Sequence, residues 1–273
     1  MRGGLARTVP LITSRDNTVF KSLKKLAQNG RERKKTGLAL LDGEHLIAGF
    51  VERIGQPQLL VVSPAGLQRV EIRTLQEALP SVPLTLMSDA LFREIAPVET
   101  PTGILARVAI PRLPLAEKIQ FAVFLETLQD PGNLGSILRS AAAAGAQAAY
   151  LSAGCADAWS PRVLRGGMGA HFHLPIREGV NLVEIAENFV GDVVVTSLQA
   201  EVDLFELDLG GPVAFVIGNE GAGVSPSLQQ AATQRVRIPM PGAMESLNAA
   251  AAAAICFFER VRQVSKVTGP RKS

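Results

Sequence analysis

Apolar runs alternate with helix-forming segments from residue 119 onward, and this alternation constrains the fold more than any other feature. The pattern predicts strands at 121–125, 148–152, 193–197, 213–217 and 235–238, and helices at 135–144, 160–168, 182–189, 225–232 and 246–264. Strands that are apolar throughout and alternate with helices are typical of a parallel sheet with helices on both faces. The sequence therefore predicts an α/β fold for this half of the chain.

Three polar segments follow predicted strands in this half. The first begins Asp130-Pro131-Gly132-Asn133 and continues to Arg139, the second spans 217–223 around Glu220, and the third spans 238–248. Polar groups at the carboxyl ends of parallel strands mark the ligand crevice of an open α/β sheet. We therefore expect the three segments to meet at one site.

A smaller α/β unit is predicted before them. It would contain a basic amphipathic helix at 17–29, strands at 38–41, 59–62, 83–87 and 104–109, a helix at 44–54, a further strand and helix within 67–79, and a helix capped by Ser88. The prolines of Pro111-Arg112-Leu113-Pro114 indicate a linker. We predict a first domain at 1–112, in which residues 1–10 form a flexible lead-in, and a second domain at 118–268.

Positive charge is concentrated at the start of the chain. Residues 1–35 contain ten Lys and Arg against two acids, whereas the remainder contains eighteen against twenty-three. Such a basic patch is the pattern expected for a polyanionic partner, although a basic block can also be a solvated helix face. The candidate nucleic-acid contacts in the patch are Lys24, Lys25, Arg31, Arg33, Lys34 and Lys35.

Several other kinds of protein are disfavoured. No apolar stretch reaches the length of a membrane span, no secretory signal is evident, and two cysteines form no disulfide framework. A cytoplasmic location is expected. His171 and His173 alternate as in a strand, and too few ligands lie nearby for zinc, so we predict no metal site.

Each polar segment also has a simpler interpretation. Ser246 is a good N-cap for the last helix, and Arg139 could be an ordinary surface residue, although it is an isolated charge on a largely apolar helix. The segment at 218–223 could be a plain glycine turn with an exposed Glu220. Its glycines follow a late strand, unlike those of a dinucleotide fingerprint, and no Gly-Lys-Ser/Thr follows as in a phosphate-binding loop.

Together the three segments resemble, in order and spacing, the three motifs of the SpoU (TrmH-like) branch of the SPOUT RNA methyltransferases. The resemblance covers roughly residues 119–264. The N-terminal part, with Ile12-Thr13-Ser14, Asn17, the basic helix and residues 41–45, is similar to the substrate-binding domain of ribosomal-RNA members, which has a small ribosomal-protein-like α/β fold.

The resemblance implies a SPOUT α/β fold with a deep trefoil knot, S-adenosylmethionine as cofactor, and a homodimer with its site completed near the interface. By motif position, Gly218, Ile238 and Leu247 would contact the cofactor, with Glu220 and Met240 shaping the pocket.

The same resemblance assigns the catalytic roles. Arg139 would stabilise the nascent alkoxide of a ribose 2′-hydroxyl, Asn133, Ser246 and Asn248 would hold Arg139 and the ribose, and Glu220 would orient a neighbour. Arg162 and Arg165 would bind RNA phosphate, with plain surface charge as the alternative.

The predicted function is S-adenosylmethionine-dependent 2′-O-ribose methylation of a structured RNA. Ribosomal RNA is favoured over transfer RNA because of the N-terminal domain, and neither DNA nor a membrane is expected as a partner. Two alternatives stay open: a transfer-RNA methyltransferase, and a non-catalytic RNA-binding assembly factor with the same fold. An ordinary Rossmann nucleotide enzyme is disfavoured because the early glycine fingerprint is absent.

Overall fold

The computed structural model describes residues 10–96, 101–197, 199–244 and 246–267. Residues 1–9 of the predicted lead-in lie outside the described residues, and so does Glu245 of the third segment. Two compact units are distinguished: the first ends at Pro111 and also includes 159–165, and the second consists of 112–158 and the chain from Gly166 onward. The domain boundaries drawn from the sequence stay a prediction.

Up to Pro111, the described residues of the first unit form five strands and five α-helices. These elements are β1 (Leu11–Ile12), α1 (Thr18–Gln28), α2 (Gly30–Thr36), β2 (Leu38–Asp42), α3 (Glu44–Arg53), β3 (Leu59–Val62), α4 (Val70–Glu77), β4 (Leu84–Met87), α5 (Asp89–Ile95) and β5 (Ile104–Ala109). The strands form one sheet of order β1-β4-β3-β5-β2, in which β5 runs antiparallel to both of its neighbours.

The basic segment forms two helices where the sequence predicts one. Asn17 caps α1, and its side chain accepts from the amides of Val19 and Phe20. Asn29 ends α1 and starts α2, because its Oδ1 accepts from the amides of Arg31 and Glu32 at 2.9 and 3.3 Å. A side-chain oxygen that satisfies the free amides of a first turn is the usual way in which a helix begins.

The prediction of a strand within 67–79 is wrong. Residues 66–68 form a short 3-10 turn, and α4 follows directly, with Ile72 as its buried residue. A short surface helix buries only a narrow apolar face, so a single buried side chain is sufficient for it. A strand of the sheet would need more buried residues.

The remaining elements are β6 (Phe121–Leu125), α6 (Pro131–Ala143), β7 (Ala148–Ser152), α7 (Pro161–Gly167), β8 (Ile176–Val180), α8 (Leu182–Glu187), β9 (Asp192–Thr196), β10 (Val202–Asp203), β11 (Val213–Ile217), α9 (Pro226–Ala231), β12 (Gln234–Arg237) and α10 (Ala249–Val267). All except α7, most of which belongs to the first unit, lie in the second unit. Its seven strands form a fully parallel sheet of order β10-β12-β9-β11-β6-β7-β8, which confirms the α/β prediction.

Both faces of this sheet are covered. On one face Phe257 of α10 packs against Phe121 and Phe215, with ring centroids 5.6 and 5.9 Å apart. The other face packs Phe124 and its neighbours against α8 and α9. Every residue of β6 and β11 is buried, which explains why their sequences are apolar without interruption.

Two local predictions fail at the edge of the sheet. His171 lies in a 3-10 turn at Ala170–Phe172 rather than in a strand. The sequence analysis missed the edge strand β8, as well as the two-residue strands β1 and β10. The sequence of β8 is Ile-Arg-Glu-Gly-Val, and as an edge strand it needs no continuous apolar run. The periodicity signal is therefore absent there for a physical reason.

The strand order decides where the site lies. Strands β12, β9, β11 and β6 are consecutive neighbours and run in the same direction. The segments that follow these strands therefore all leave the sheet at the carboxyl ends of the strands, where ligand crevices of parallel sheets form. The trefoil knot stays a prediction. Within the described ranges, no helix is long and apolar enough to cross a membrane.

Candidate active site

Asn133 is held at the start of α6 by its own helix cap. Asp130 is the N-cap, its Oδ1 accepts from the amide of Asn133 at 2.7 Å, and Pro131 occupies the first turn. A proline is well tolerated there because its missing amide hydrogen would have no helical partner. The first motif segment therefore places the Asn133 side chain at the carboxyl end of β6.

The loop after β11 is a tight turn. Asn219 and Gly223 exchange two backbone hydrogen bonds of 3.0 and 2.9 Å, and Gly223 has a positive φ of 71°. A Cβ on Gly218 would come within 2.4 Å of the Gly223 backbone, so only glycine fits at that position. This close approach fixes the direction in which the next residues leave the strand.

Glu220 projects from this turn toward the first motif segment. Its Oε1 accepts from Asn133 Nδ2 at 3.1 Å, and its carboxylate also lies 3.4 and 3.5 Å from the backbone amides of Asp130 and Gln129. Three donors on one carboxylate favour its charged form. The second segment is thus joined to the first through a single side chain.

Asn248 completes the connection from the third segment. Its Nδ2 donates to Asn133 Oδ1 at 2.9 Å, and its own Oδ1 accepts from the amides of Ala250 and Ala251 at 2.9 and 3.3 Å. Asn248 therefore caps α10, and the prediction of Ser246 as that N-cap is wrong. We call this series of three side chains, Asn248, Asn133 and Glu220, the amide relay.

The relay has one consistent direction. An ionised carboxylate only accepts, so Asn133 must turn its NH2 group toward Glu220 and its oxygen toward Asn248. The oxygen of Asn248 then faces the backbone amides of α10. Every step pairs a donor with an acceptor, which is the condition under which a network of this kind is rigid.

The pKa of Glu220 lies below its usual range. Partial burial alone would raise it, but the hydrogen bonds from Asn133 and from the backbone amides of residues 220, 130 and 129 outweigh that cost. Glu220 is therefore ionised at neutral pH and acts as an acceptor that holds its neighbours.

A cleft beside the relay is lined by the third segment. It is bounded by Thr196, Ser197, Ile238, Met240, Ser246, Leu247 and Ala252. The structure thus brings three of the predicted cofactor residues, Ile238, Met240 and Leu247, to one surface, together with Ser246. Gly218 and Glu220 do not line this cleft; they belong to the turn and the relay.

Sequence reasoning missed Thr196 and Ser197 as residues of this cleft. They lie at the carboxyl end of β9, which is the neighbour of both β11 and β12. Their position at the end of an apolar strand was a usable signal, but no glycine or charge drew attention to them. Apolar walls with a few polar groups are typical of sites that bind small organic ligands.

Arg139 stands apart from the relay. It lies six residues after Asn133 on α6, which is about 9 Å along the helix axis. Its side chain is exposed, and no hydrogen bond or ion pair ties it to the parts of the chain that the structure describes. The relay makes no hydrogen bond to Arg139, and the expectation that Asn133, Ser246 and Asn248 hold Arg139 and the ribose stays a prediction.

The basic residues of the first unit fall into two groups, and Arg33 requires a correction. Arg33 is only 4% exposed, and its guanidinium donates to the carbonyl oxygens of Leu26 and Ala27 at the end of α1. Lys24 is half-buried and pairs with Glu94 at 2.9 Å. Arg33 therefore stabilises the junction of two helices and is not available to RNA.

The other residues of the patch are on the surface. Lys25, Arg31, Lys34 and Lys35 are exposed. Arg162 and Arg165 are also exposed; within the first unit, Arg165 lies 3.6 Å from the Asp42 carboxylate, so its charge is partly neutralised. We call Lys25, Arg31, Lys34 and Lys35 the basic surface.

His171 is a core residue. It is 1% exposed, its Nε2 lies 2.7 Å from the carbonyl oxygen of Ala158, and burial lowers its pKa to about 4. In the described part of the chain, no three His, Cys, Asp or Glu side chains are placed to hold a metal ion.

A larger cavity, of about 830 Å³, lies elsewhere in the second unit. It is lined by the linker around Ile119, by Phe189 and Val190, and by Pro212. Ile119, Val190 and Pro212 precede β6, β9 and β11, so this wall of the cavity is at the amino ends of the central strands, while Tyr150 and Val180 form part of another wall. None of the described motif residues lines the cavity. Ligand sites of open parallel sheets form at the carboxyl ends of the strands. The smaller cleft is therefore the better candidate.

Comparison with known proteins identifies both parts of the chain. The sequence model of the SpoU rRNA Methylase family matches residues 120–258, and that of the MRM3-like substrate binding domain matches residues 17–106. The chain is 33% identical to the 23S rRNA (guanosine(2553)-2′-O)-methyltransferase RlmP of Bacillus subtilis, a match that covers 90% of this chain and 97% of RlmP.

A second relative is the 23S rRNA (uridine(2479)-2′-O)-methyltransferase of Streptomyces viridochromogenes, with 31% identity over 96% of this chain and 95% of that protein. The solved structure of the SpoU methyltransferase AviRb from the same organism, in complex with AdoMet, superposes with a TM-score of 0.80 at 30% identity, covering 93% of this chain and 100% of that one. An AdoMet-bound rRNA methyltransferase from Sinorhizobium meliloti gives 0.80 at 27% identity, covering 94% and 98%.

Proposed function

The chain belongs to the SpoU rRNA methylase family, and we propose that it transfers a methyl group from S-adenosylmethionine to a ribose 2′-hydroxyl of ribosomal RNA. The observation that carries the proposal is the amide relay, which joins all three motif segments beside the cleft of Ile238, Met240 and Leu247. The intact set of Asn133, Arg139, Glu220 and Asn248 argues against a protein that only binds RNA.

Ribosomal RNA is the substrate class that the comparisons favour. The two relatives described above are named for 2′-O-methylation of 23S rRNA, and both match along nearly their whole length. The basic surface of the first unit would bind the phosphate backbone, because lysine and arginine neutralise phosphates independently of sequence.

The residue types that line the cleft suit the cofactor with which solved relatives were determined. Ile238, Met240 and Leu247 supply apolar surface, and Thr196 and Ser197 supply hydroxyl groups for hydrogen bonds. S-adenosylmethionine, when bound, supplies a methyl group activated by its sulfonium charge. Residues on the turn of Gly218 would close the neighbouring wall.

The protein residues must then orient the ribose and stabilise its oxygen as it loses its proton. A guanidinium is always protonated under working conditions, so Arg139 would act by its charge rather than as a base. Its exposure leaves it free to contact a substrate phosphate or the alkoxide. The relay would hold the first turn of α6 and the start of α10 rigid around the reacting groups.

We also propose a homodimer in the cytoplasm. Phe258, near the middle of α10, is a large apolar side chain that is 48% exposed. An exposed apolar side chain on the helix that follows the site is suited to a contact with a second copy of the chain. Light scattering of the purified protein tests this, and a monomer at all concentrations would contradict it.

The test of the activity has two parts. Purified protein is first heated with S-adenosylmethionine or with NAD; stabilisation by S-adenosylmethionine alone is expected. It is then incubated with ribosomal RNA from cells that lack the gene, and 2′-O-methyl positions are mapped. One new methylated ribose is expected. Methylation of transfer RNA only, or of no RNA, would contradict the proposal.

A further inference from the structure

A backbone outlier lies beside the relay. Thr127, two residues after β6, has a φ of 50°. A β-branched residue avoids this left-handed region because its side chain crowds the backbone, so surrounding contacts must hold it there. Two do so: its amide donates to Ser152 Oγ at 2.9 Å, and its carbonyl oxygen accepts from Asn219 Nδ2 at 2.8 Å.

Asn219 makes this contact while it also shapes the turn after β11. Its Oδ1 accepts from the amides of Gly221 and Ala222, both at 2.9 Å. One side chain thus closes the turn with its oxygen and ties the turn to the neighbouring loop with its nitrogen. The oxygen and the nitrogen of one amide cannot exchange these roles, so the contact also fixes the orientation of the side chain.

Glu220 is the next residue in the chain, and its position depends on this turn. Its carboxylate extends from the loop after β11 and accepts a hydrogen bond from Asn133 Nδ2 at 3.1 Å. It also accepts from the amides of residues 129 and 130. Those amides and Thr127 belong to the same loop after β6. Asn219 therefore ties together, one residue before Glu220, the two loops that the carboxylate bridges.

We infer that Asn219 is a positioning residue for the reaction: by binding the Thr127 carbonyl and closing the 219–223 turn, it sets Glu220 against Asn133 and so keeps the amide relay assembled. This inference rests on the proposed function. It extends the site beyond the relay, because Asn219 touches neither the cleft nor the relay side chains.

The far end of the same loop supplies a matched control. Ser225 caps α9, and its amide and hydroxyl donate to the two oxygens of Glu126 at 2.7 and 2.6 Å. Ser225→Ala therefore removes a cap and a cross-loop hydrogen bond without touching the bond between Asn219 and Thr127. This variant shows whether any weakening of the loop lowers activity, or whether activity falls only when Glu220 is no longer held in position.

Two substitutions test Asn219. Asn219→Ala removes both functions of the side chain, whereas Asn219→Asp keeps an acceptor for the turn but turns a carboxylate oxygen toward the Thr127 carbonyl. Both are expected to lower kcat for RNA methylation at least about tenfold and to change the Kd for S-adenosylmethionine less than about threefold. Ser225→Ala is expected to keep kcat within about threefold of the wild type.

A double-mutant cycle with Glu220→Ala shows whether Asn219 acts through Glu220. If it does, Asn219→Ala costs little more once Glu220 is gone, so the two losses are not additive in free energy. The inference would be overturned by any of three results. The losses of kcat from Asn219→Ala and Glu220→Ala could multiply in the double variant, Asn219→Ala could keep the wild-type kcat, or Ser225→Ala could lose as much kcat as Asn219→Ala. An inactive wild type would instead contradict the proposed function, and with it this inference.

Discussion

The Nδ2 group of Asn248 lies 2.9 Å from Oδ1 of Asn133, although 115 residues separate them in the chain. This bond joins the first turn of α10 to the first turn of α6. Asn133 is thereby fixed at both ends of its amide, by Asn248 on one side and by Glu220 on the other. The site depends on Asn133 more than on any other relay member, because it alone contacts both others.

Asn133→Asp should lower activity and make it more sensitive to acid. The substitution replaces the donor facing Glu220 with a second carboxylate, and neighbouring carboxylates raise each other's pKa. In the wild type the pKa of Glu220 is lowered, so this carboxylate stays ionised at a more acidic pH than an ordinary glutamate does. The acid limb of kcat against pH should therefore move upward in the variant. An unshifted limb would show that Glu220 ionisation does not govern the rate.

Arg139→Ala should abolish methyl transfer while leaving cofactor affinity nearly intact. Arg139 is exposed on α6 and does not line the cofactor cleft. Loss of a group that stabilises charge in the transition state typically costs about 100-fold or more in kcat. Calorimetry with S-adenosylmethionine and single-turnover methylation measure the two effects. Retained turnover would exclude Arg139, and Arg139→Lys shows whether charge alone is sufficient.

Substitution of the four residues of the basic surface by glutamate should weaken RNA binding and make the binding less dependent on salt. For each of Lys25, Arg31, Lys34 and Lys35 that binds a phosphate, its replacement should lower the slope of log K against log salt by about one. Filter binding at several salt concentrations measures this. Arg53→Glu is the matched control, since Arg53 is an exposed arginine of the same unit at the end of α3. An equal effect of that control would mean that only net charge matters.

Arg33→Ala should act on stability rather than on RNA contacts. The substitution leaves the carbonyl oxygens of Leu26 and Ala27 without their charged donor inside the α1–α2 junction. Loss of hydrogen bonds from a buried charged group costs about 2–3 kcal/mol. Urea unfolding measures the loss, with Lys34→Ala as the exposed neighbour for comparison. A stability unchanged from that of the wild type would contradict the structural role.

His171 should make the protein less stable in mild acid. Its pKa falls to about 4 because burial disfavours the charged ring, while an unfolded histidine titrates near 6.5. The unfolded state therefore binds the proton more tightly, and stability is complete above about pH 6.5 and falls as the pH decreases toward 4. At pH 5 the loss should be about 2 kcal/mol.

His171→Gln should remove most of that difference between pH 7 and pH 5 in chemical unfolding. His45 is exposed, so His45→Gln is the control and should keep the wild-type difference. An equally large pH effect in His171→Gln would assign the acid sensitivity to other groups.

The strands of both sheets could largely be predicted from the sequence, because buried parallel strands need continuous apolar residues. The five predicted strands of the second unit are within one residue of β6, β7, β9, β11 and β12. Two elements without an apolar pattern were not predicted: β8 is a half-exposed edge strand with no apolar run, and α2 begins because Asn29 ends one helix and caps the next. Pairing with β7 formed the first, and the local hydrogen bonds of a helix cap formed the second.

The sequence by itself determined that three polar motifs follow strands of one parallel sheet, and the strand order of the tertiary structure then brought the ends of those strands together. Only the tertiary structure decided what each side chain does there. Asn248 rather than Ser246 caps α10, Arg33 is a buried support rather than a surface charge, and Arg139 lies outside the relay. The reason is that a motif fixes residue types and spacing, whereas hydrogen-bond partners and burial depend on how distant segments pack.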